Sequence, residues 1–155
     1  MQATVRPEVR EFFERFERAG RELDPDAVMG SYAENFLSLD SSSAHALTPQ
    51  ALVSLLPQRR ALFESIGGDG MQLAHIEETP LDDDHTLVRT SWTLRMRPDC
   101  ARAPIILWST FVLRRRDGAW RIVLYLNHQD MRKLFEGLRR AARQPSTPIP
   151  GPRGA

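Results

Sequence analysis

Between Met71 and Gln129 the sequence alternates in side-chain character over four consecutive runs: Met71 to Thr79, His85 to Arg97, Pro104 to Arg115 and Ala119 to Gln129. A period of two sustained over this length predicts strands. Asp82-Asp83-Asp84 and Arg116-Asp117-Gly118 mark tight hairpins between them. The Asp-Gly pair is the stronger signal, because a two-residue hairpin turn needs positive φ at both central positions. In the second run Val88, Thr90, Trp92, Leu94 and Met96 face one way, while Arg89, Ser91, Thr93 and Arg95 face the other. That is a strand with one covered and one polar face.

The last two runs differ. Ile105, Leu107, Ser109, Phe111 and Leu113 share one side of the third, and Ile106, Trp108, Thr110 and Val112 share the other. The fourth sets Trp120, Ile122, Leu124 and Leu126 against Val123 and Tyr125. A sheet covered by helices on one face has no need of a second apolar face, and the economical explanation is a partner subunit, a homodimer.

Helical periodicity dominates the first half. From about Arg6 to Leu23, Val9, Phe12, Phe13, Phe16 and Ala19 recur at steps of three and four and form one apolar stripe. Asp24-Pro25 is a cap-and-proline start for a short helix that includes Val28 and Tyr32 and runs out near Glu34. A short strand, Asn35 to Asp40, leads into the Ser41–Ser43 loop. Thr48-Pro49 starts a third helix lined by Leu52, Leu55, Leu56, Leu62, Phe63 and Ile66, with a kink expected at Pro57 and an end at Gly67-Gly68. A last helix, Asp130 to Arg143, carries Met131, Leu134, Phe135 and Leu138 on one stripe, and residues 144–155 hold four prolines, a composition expected to be disordered. Isolated helices of this length are marginal in water, so the stripe must dock on protein.

With 155 residues and 41% apolar content, the chain suits one domain. Its 21 basic and 20 acidic residues leave a net charge of +1, so no global field draws it to nucleic acid or to acidic lipid. The lone Cys100 allows no internal disulfide. No stretch approaches the ~20 apolar residues of a membrane helix, and Glu8, Arg10, Glu11 and Glu14 interrupt any signal-like apolar region. The expectation is a soluble cytoplasmic protein with neither a nucleic-acid nor a membrane partner.

The order helix, helix, short strand, helix, then four antiparallel strands resembles the nuclear transport factor 2-like (SnoaL-like) superfamily. Two segments carry the likeness: Val28-Met29-Gly30-Ser31-Tyr32-Ala33-Glu34-Asn35, similar to the family's helix-to-strand junction, and Asp117-Gly118-Ala119-Trp120-Arg121-Ile122-Val123, similar to its last strand. The likeness covers roughly Val5 to Gln129. It implies an α+β fold, a curved antiparallel sheet wrapped over N-terminal helices in a cystatin-like cone, with an extra C-terminal helix. The domain would span residues 1–143, with that helix at 130–143. Members of the family are commonly dimers that pair through the open sheet face. Since the shared core ends before the helix, it docks either over the cone mouth or across a dimer partner. The mouth is favoured, because a lid there shields the pocket and makes Phe135 part of its wall.

The scaffold hosts unrelated activities, so function has to be argued from the site. Asp40 closes the first strand at a position similar to the general-base aspartate of ketosteroid isomerase. A carboxylate at the mouth of an apolar pocket would be desolvated, its pKa would rise, and it could take a proton from carbon next to a carbonyl. The competing reading is an Asp in an ordinary Asp-Ser-Ser-Ser turn. The isomerase's oxyanion donors fall at Phe13, which has none, and Ser109, which is a weak one. The loss of one such donor typically costs ~10²–10³ in rate, so steroid isomerisation is disfavoured.

His75, in phase with Met71 and Leu73, is either an acid/base partner for Asp40, as in dehydratases of this fold, or a core or interface residue. His45, His85 and His128 fall in a loop, a turn and a strand end, and no pair has metal-ligand spacing. Tyr32, Trp92 and Tyr125 are candidate pocket walls, and Asn127 is a polar group beside them. Two functions remain open. One is a small-molecule site, for an apolar or polyketide-like molecule, that could act as a lyase, isomerase or cyclase without cofactor. The other is a non-catalytic dimerisation or scaffold module. A filled core between Phe13, Trp92 and Ser109 would favour the second.

Overall fold

The computed structural model describes residues 4–143; the proline-rich segment from Gln144 lies outside the described residues. In chain order the elements are α1 (Pro7–Glu22), α2 (Pro25–Gly30), β1 (Tyr32–Leu39), β2 (Ala44–Leu47), α3 (Pro49–Ser65), β3 (Gly68–Pro80), β4 (His85–Met96), β5 (Ile105–Arg116), β6 (Ala119–Asn127) and α4 (Met131–Arg143). The fold is α+β. One six-stranded sheet runs β2-β1-β6-β5-β4-β3, with β1 parallel to β6 and every other pair antiparallel.

The helix starts follow their sequence signals. Asp24 caps α2 by accepting from the Asp26 and Ala27 amides, and Thr48 caps α3 by accepting from the Ala51 amide. Asp130 caps α4 by accepting from Lys133 N–H at 3.1 Å. At the β5–β6 hairpin Asp117 and Gly118 take φ of 52° and 75°, the conformation a two-residue primed turn demands. Three boundaries depart from expectation. Helix α2 stops at Gly30, so Tyr32 opens β1 rather than closing a helix, and its ring packs on Phe36. The residues after the Ser41–Ser43 turn form a short strand, β2, which puts His45 in the sheet instead of a loop. Helix α3 continues through Pro57 as a single element.

Helix α1 lies in the concave face of the sheet. Phe16 stands 5.6 Å from Phe111, 5.9 Å from Trp92 and 6.0 Å from Tyr32, and Phe13 stands 5.2 Å from Phe111. Phe13, Phe111, Val88, Leu113 and Ile122 are all within 2% of full burial. Burying side chains of this kind stabilises by roughly 1.5–3 kcal/mol each before entropy is counted.

Two register shifts decide which residues face this core. In β3 the pairing with β4 slips between Leu73 and His75. The bulge turns His75 to the convex face, where its side chain is 51% exposed, and turns Ile76 and Glu78 inward. His75 is therefore not in phase with Met71 and Leu73. In β6 the slip falls at Val123: Leu113 pairs with Ile122, whereas Val112 pairs with Leu124. Trp120 and Ile122 face the core before it, and Tyr125 and Asn127 after it. Leu124 and Leu126 join the convex face instead of continuing the Trp120 phase. An extra residue of this kind also bends the strand.

Glu78 is the consequence of the first bulge. Its side chain is 1% exposed, and it accepts from Arg6 N–H at 2.9 Å, Arg6 Nε at 2.9 Å, Arg6 Nη2 at 2.6 Å and Thr86 Oγ1 at 2.6 Å. Arg6 is the N-cap residue of α1, so the carboxylate also faces the positive end of the helix dipole. Burial alone raises the Glu78 pKa, but the Arg6 and Thr86 hydrogen bonds outweigh it and hold the group below the usual glutamate value. The Arg6 and Arg115 guanidiniums lie 5.1 and 5.2 Å from the Trp120 ring centroid.

Removing one partner of a buried pair costs about 3–5 kcal/mol. Arg6→Ala should lie at the upper end, because it strands a buried carboxylate. Glu78→Gln should lie at the lower end, because Arg6 is 33% exposed and can be hydrated. A group with a depressed folded pKa contributes stability above its unfolded value, about 4.3 for Glu. That contribution is lost as pH falls through the folded pKa. Urea melts should therefore show wild type losing stability below about pH 4.3 more steeply than Glu78→Gln. Parallel pH profiles would show that the carboxylate is not the group responsible.

Candidate functional site

The deep part of the cone is occupied by side chains. Trp92 Nε1–H donates to Thr90 Oγ1 at 2.8 Å, and that hydroxyl donates to Ser109 O at 3.2 Å, so the polar atoms of this region are spent within the core. Phe13, Tyr32, Trp92 and Ser109 are all buried, and Phe16 fills the space between Phe13, Trp92 and Phe111.

A cleft lined by Glu8, Arg15, Arg115 and Trp120 lies on the surface at the Trp120 end. Another open cleft lies at the other end, where β1 and β6 finish. A cleft of about 520 Å³ is bounded there by Ser38, Asp40, Tyr125 and Asn127 from the sheet side, by Arg59, Leu62 and Phe63 from α3, and by Met131, Phe135 and Arg139 from α4. Tyr125 and Asn127 reach it because of the Val123 bulge. Phe135 is 7% exposed and packs on Phe63 with ring centroids 5.4 Å apart; Met131 and Leu138 join the same cluster with Ile66 and Leu94. Arg102 Nη2–H adds a hydrogen bond to Leu138 O at 3.4 Å. Helix α4 thus docks across the cone mouth and supplies one wall of the cleft.

Of the residues singled out in the sequence, Asp40, Tyr125 and Asn127 meet at this cleft. His75 is on the convex face of β3, at the far edge of the sheet from β1, so the structure does not bring it to Asp40. The electrostatics of Asp40 are the reverse of a desolvated base. Its Oδ1 accepts from Ser42 N–H at 2.8 Å, Ser42 Oγ at 3.0 Å and Ser43 Oγ at 2.9 Å. These bonds, the Ser42 amide first, lower its pKa rather than raise it. Its Oδ2 takes no part in them.

Arg59 was not apparent as a site residue. It lies on the stripe Leu52, Leu56, Arg59, Phe63, at helical steps of four, three and four, and a cation on an apolar stripe was the available signal. The residue is exposed, and its guanidinium lines the cleft, 5.7 Å from the Phe63 ring centroid and close to Tyr125. Burial lowers its pKa, but the phenols of Tyr125 and Tyr32 more than offset this, and the group stays charged. Burial pushes the Tyr32 phenol well above the ordinary tyrosine range, so it remains neutral. Among the described residues no group of three His, Cys, Asp or Glu could hold a metal ion, and no helix is long and apolar enough to cross a membrane.

Fold and cleft together define an α+β cone with a helical lid over its mouth. The chain belongs to the family described as NTF2-like protein (DUF6841), whose sequence model matches residues 7–130. No curated protein matches the sequence. Among solved structures, an NTF2-like protein of unknown function from Shewanella oneidensis is 18% identical with a TM-score of 0.63, over 79% of this chain and 97% of that one. An NTF2-like protein with a cystatin-like fold from Novosphingobium aromaticivorans is 18% identical with a TM-score of 0.65, over 84% and 86% of the two chains. The protein Aln2 from a Streptomyces species is 14% identical with a TM-score of 0.66, over 85% and 98%. At these identities the likeness establishes the fold.

Truncation tests the docking of α4. A chain ending at Arg143 should melt with the full-length protein. One ending at Asp130 should melt several degrees lower and bind a hydrophobic dye, since Phe63, Leu62 and Ile66 lose their cover. Equal melting of the two would show that α4 contributes no packing.

Proposed function

We propose that the protein binds a small apolar or polyketide-like molecule, without cofactor, in the cleft at the cone mouth. The observation that carries this is the cleft itself. Its volume of about 520 Å³ falls within the range of ligand pockets, roughly 300–1,000 Å³. Leu62, Phe63, Met131 and Phe135 make an apolar wall, and Asp40, Tyr125, Asn127 and Arg59 are sparse polar groups that can orient a ligand. Asp40 fits the role of hydrogen-bond acceptor through Oδ2. As a general base for a lyase, isomerase or cyclase it is handicapped, because proton abstraction is most efficient with a pKa near the working pH, and its hydrogen bonds move it the other way. The packed region around Phe13, Trp92 and Ser109 also argues against a reaction chamber deep in the cone.

A second reading, a dimerisation or scaffold module, is favoured by the convex face. Leu37 is 45% exposed, Ile106 59% and Trp108 43%, with Val112, Leu39, Leu124 and Leu126 half-buried on the same side. Contiguous apolar surface of this kind fits a protein interface. A second copy of the chain is the simplest occupant, and the two readings are compatible, since the cleft opens elsewhere.

Filling the cleft tests the first reading. In a thermal-shift screen of small aromatic and aliphatic compounds, a ligand present at 100 times its Kd stabilises by about 2.7 kcal/mol, or roughly 5–10 °C for a domain of this size. Leu62→Trp should abolish such shifts with little change in the unliganded melt. Shifts that survive the filled cleft would place the ligand elsewhere, and the absence of any shift in wild type would leave the scaffold reading. For the dimer, light scattering at micromolar concentration should give twice the chain mass, and Trp108→Arg should give the monomer, because an unpaired charge would be buried at the interface. A monomeric wild type would rule the homodimer out.

A further inference from the structure

Among the described residues, the cation that α3 contributes to the cleft has no carboxylate partner. Glu8 and Glu78 are taken by Arg6, with Arg115 also on Glu8; Glu17 is taken by Arg21, Glu64 by Arg60, and Glu136 by Arg132. Asp40 spends Oδ1 on its own turn. Arg59 forms no ion pair among the described residues, although Glu64 and Asp40 are nearby in the chain or cleft. Its guanidinium lies over the Phe63 ring and close to Tyr125 at the cleft wall, and the residue is open to solvent. Its place on the stripe, between Leu56 and Phe63, puts it at the cleft wall.

We propose that Arg59 is the anchor for a carboxylate, and that the cleft takes a small apolar acid with its anionic end on Arg59 and its hydrocarbon or aromatic body between Phe63, Leu62, Met131 and Phe135. This rests on the reading of the cleft as a ligand site and specifies the ligand's class. A guanidinium presents paired N–H donors that match both carboxylate oxygens. Partial removal from water strengthens that attraction relative to an exposed arginine. The Tyr125 hydroxyl and the Asn127 side chain line the same cleft and can complete the hydrogen bonds of the carboxylate. The local charge agrees: three arginines line the cleft, Arg59, Arg132 and Arg139, against the two carboxylates Asp40 and Glu136. The apolar wall on α4 lies across the opening, so the far end of the ligand would be covered by Phe135. Inorganic anions lack the body to use that wall and should bind weakly.

The test uses 5-phenylvalerate and its neutral counterpart 5-phenyl-1-pentanol, titrated into the full-length protein by calorimetry at low salt. The acid should bind at least tenfold more tightly than the alcohol. Arg59→Gln should abolish this preference and leave the alcohol's affinity within about twofold. Arg59→Lys should retain part of it, because it restores charge without the paired donors. Phe135→Ala should weaken both compounds together, which separates loss of the wall from loss of the anchor. Equal binding of acid and alcohol to wild type, or a preference that survives Arg59→Gln, would overturn the anchor while leaving the cleft as a ligand site. Binding of neither compound at millimolar concentration would overturn the anchor and the cleft reading together. Circular dichroism and melting of Arg59→Gln should match wild type, since the side chain holds no ion pair; an unfolded Arg59→Gln would assign the residue a structural role and overturn the proposal.

Discussion

The carboxylate of Glu78 joins three elements at a single buried point. It receives the backbone and side chain of Arg6 at the start of α1, and the hydroxyl of Thr86 on β4, while itself standing on β3. Taking a carboxylate out of water is costly, and only a full set of donors offsets it. Four donors are present, and they fix where α1 enters the concave face. Once that entry is set, Val9, Phe12, Phe13 and Phe16 fall in one core with Val88, Trp92 and Phe111. The aromatic packing supplies most of the burial, but it is tolerant of small slides. The directional hydrogen bonds are not.

The two ends of the cone are consequently built on different physics. At the Glu78 end a buried ionic group and the Arg6–Trp120–Arg115 stack leave little freedom. At the mouth, α4 is held by Met131, Phe135 and Leu138 and by the Arg102 contact to a backbone carbonyl. Regions with few such ties open at lower free energy than the core. A cleft covered by such an element can open without disturbing the sheet.

Much of this could be read in the sequence where a residue type dictates a backbone conformation. Asp24-Pro25, Thr48-Pro49 and Asp117-Gly118 placed two helix starts and a hairpin, and the α4 stripe implied a docked helix. Part of what could not be read traces to two extra residues. Alternation counted from Met71 carries His75 into the core and Glu78 out of it; the bulge after Leu73 reverses both. The Val123 bulge does the same for Leu124 and Tyr125. Bulges leave no compositional mark when both faces of a strand are apolar, as in β6. Tyr125 and Asn127 were named among the site residues, but the phase that carries them to the mouth was not visible. Asp40 was found by position, whereas its protonation is governed by two serine neighbours whose hydrogen bonds depend on a turn conformation. Arg59 was visible as a break in a stripe, but only its neighbours in space distinguish a cleft cation from a solvated one.

The family match ends at residue 130, one position before α4 begins. The cleft is therefore a composite: the shared cone contributes Asp40, Arg59, Phe63, Tyr125 and Asn127, and the appended helix contributes Met131, Phe135 and Arg139. None of the residues that fix α1 or the sheet register lies in that helix. Exchanging the appended segment for one of different sequence would reshape one wall of the cleft and leave the folding problem of the cone untouched. The architecture separates the part of the chain that must be right for folding from the part that can drift, so the lining of the cleft can change by terminal replacement without compensating changes in the core.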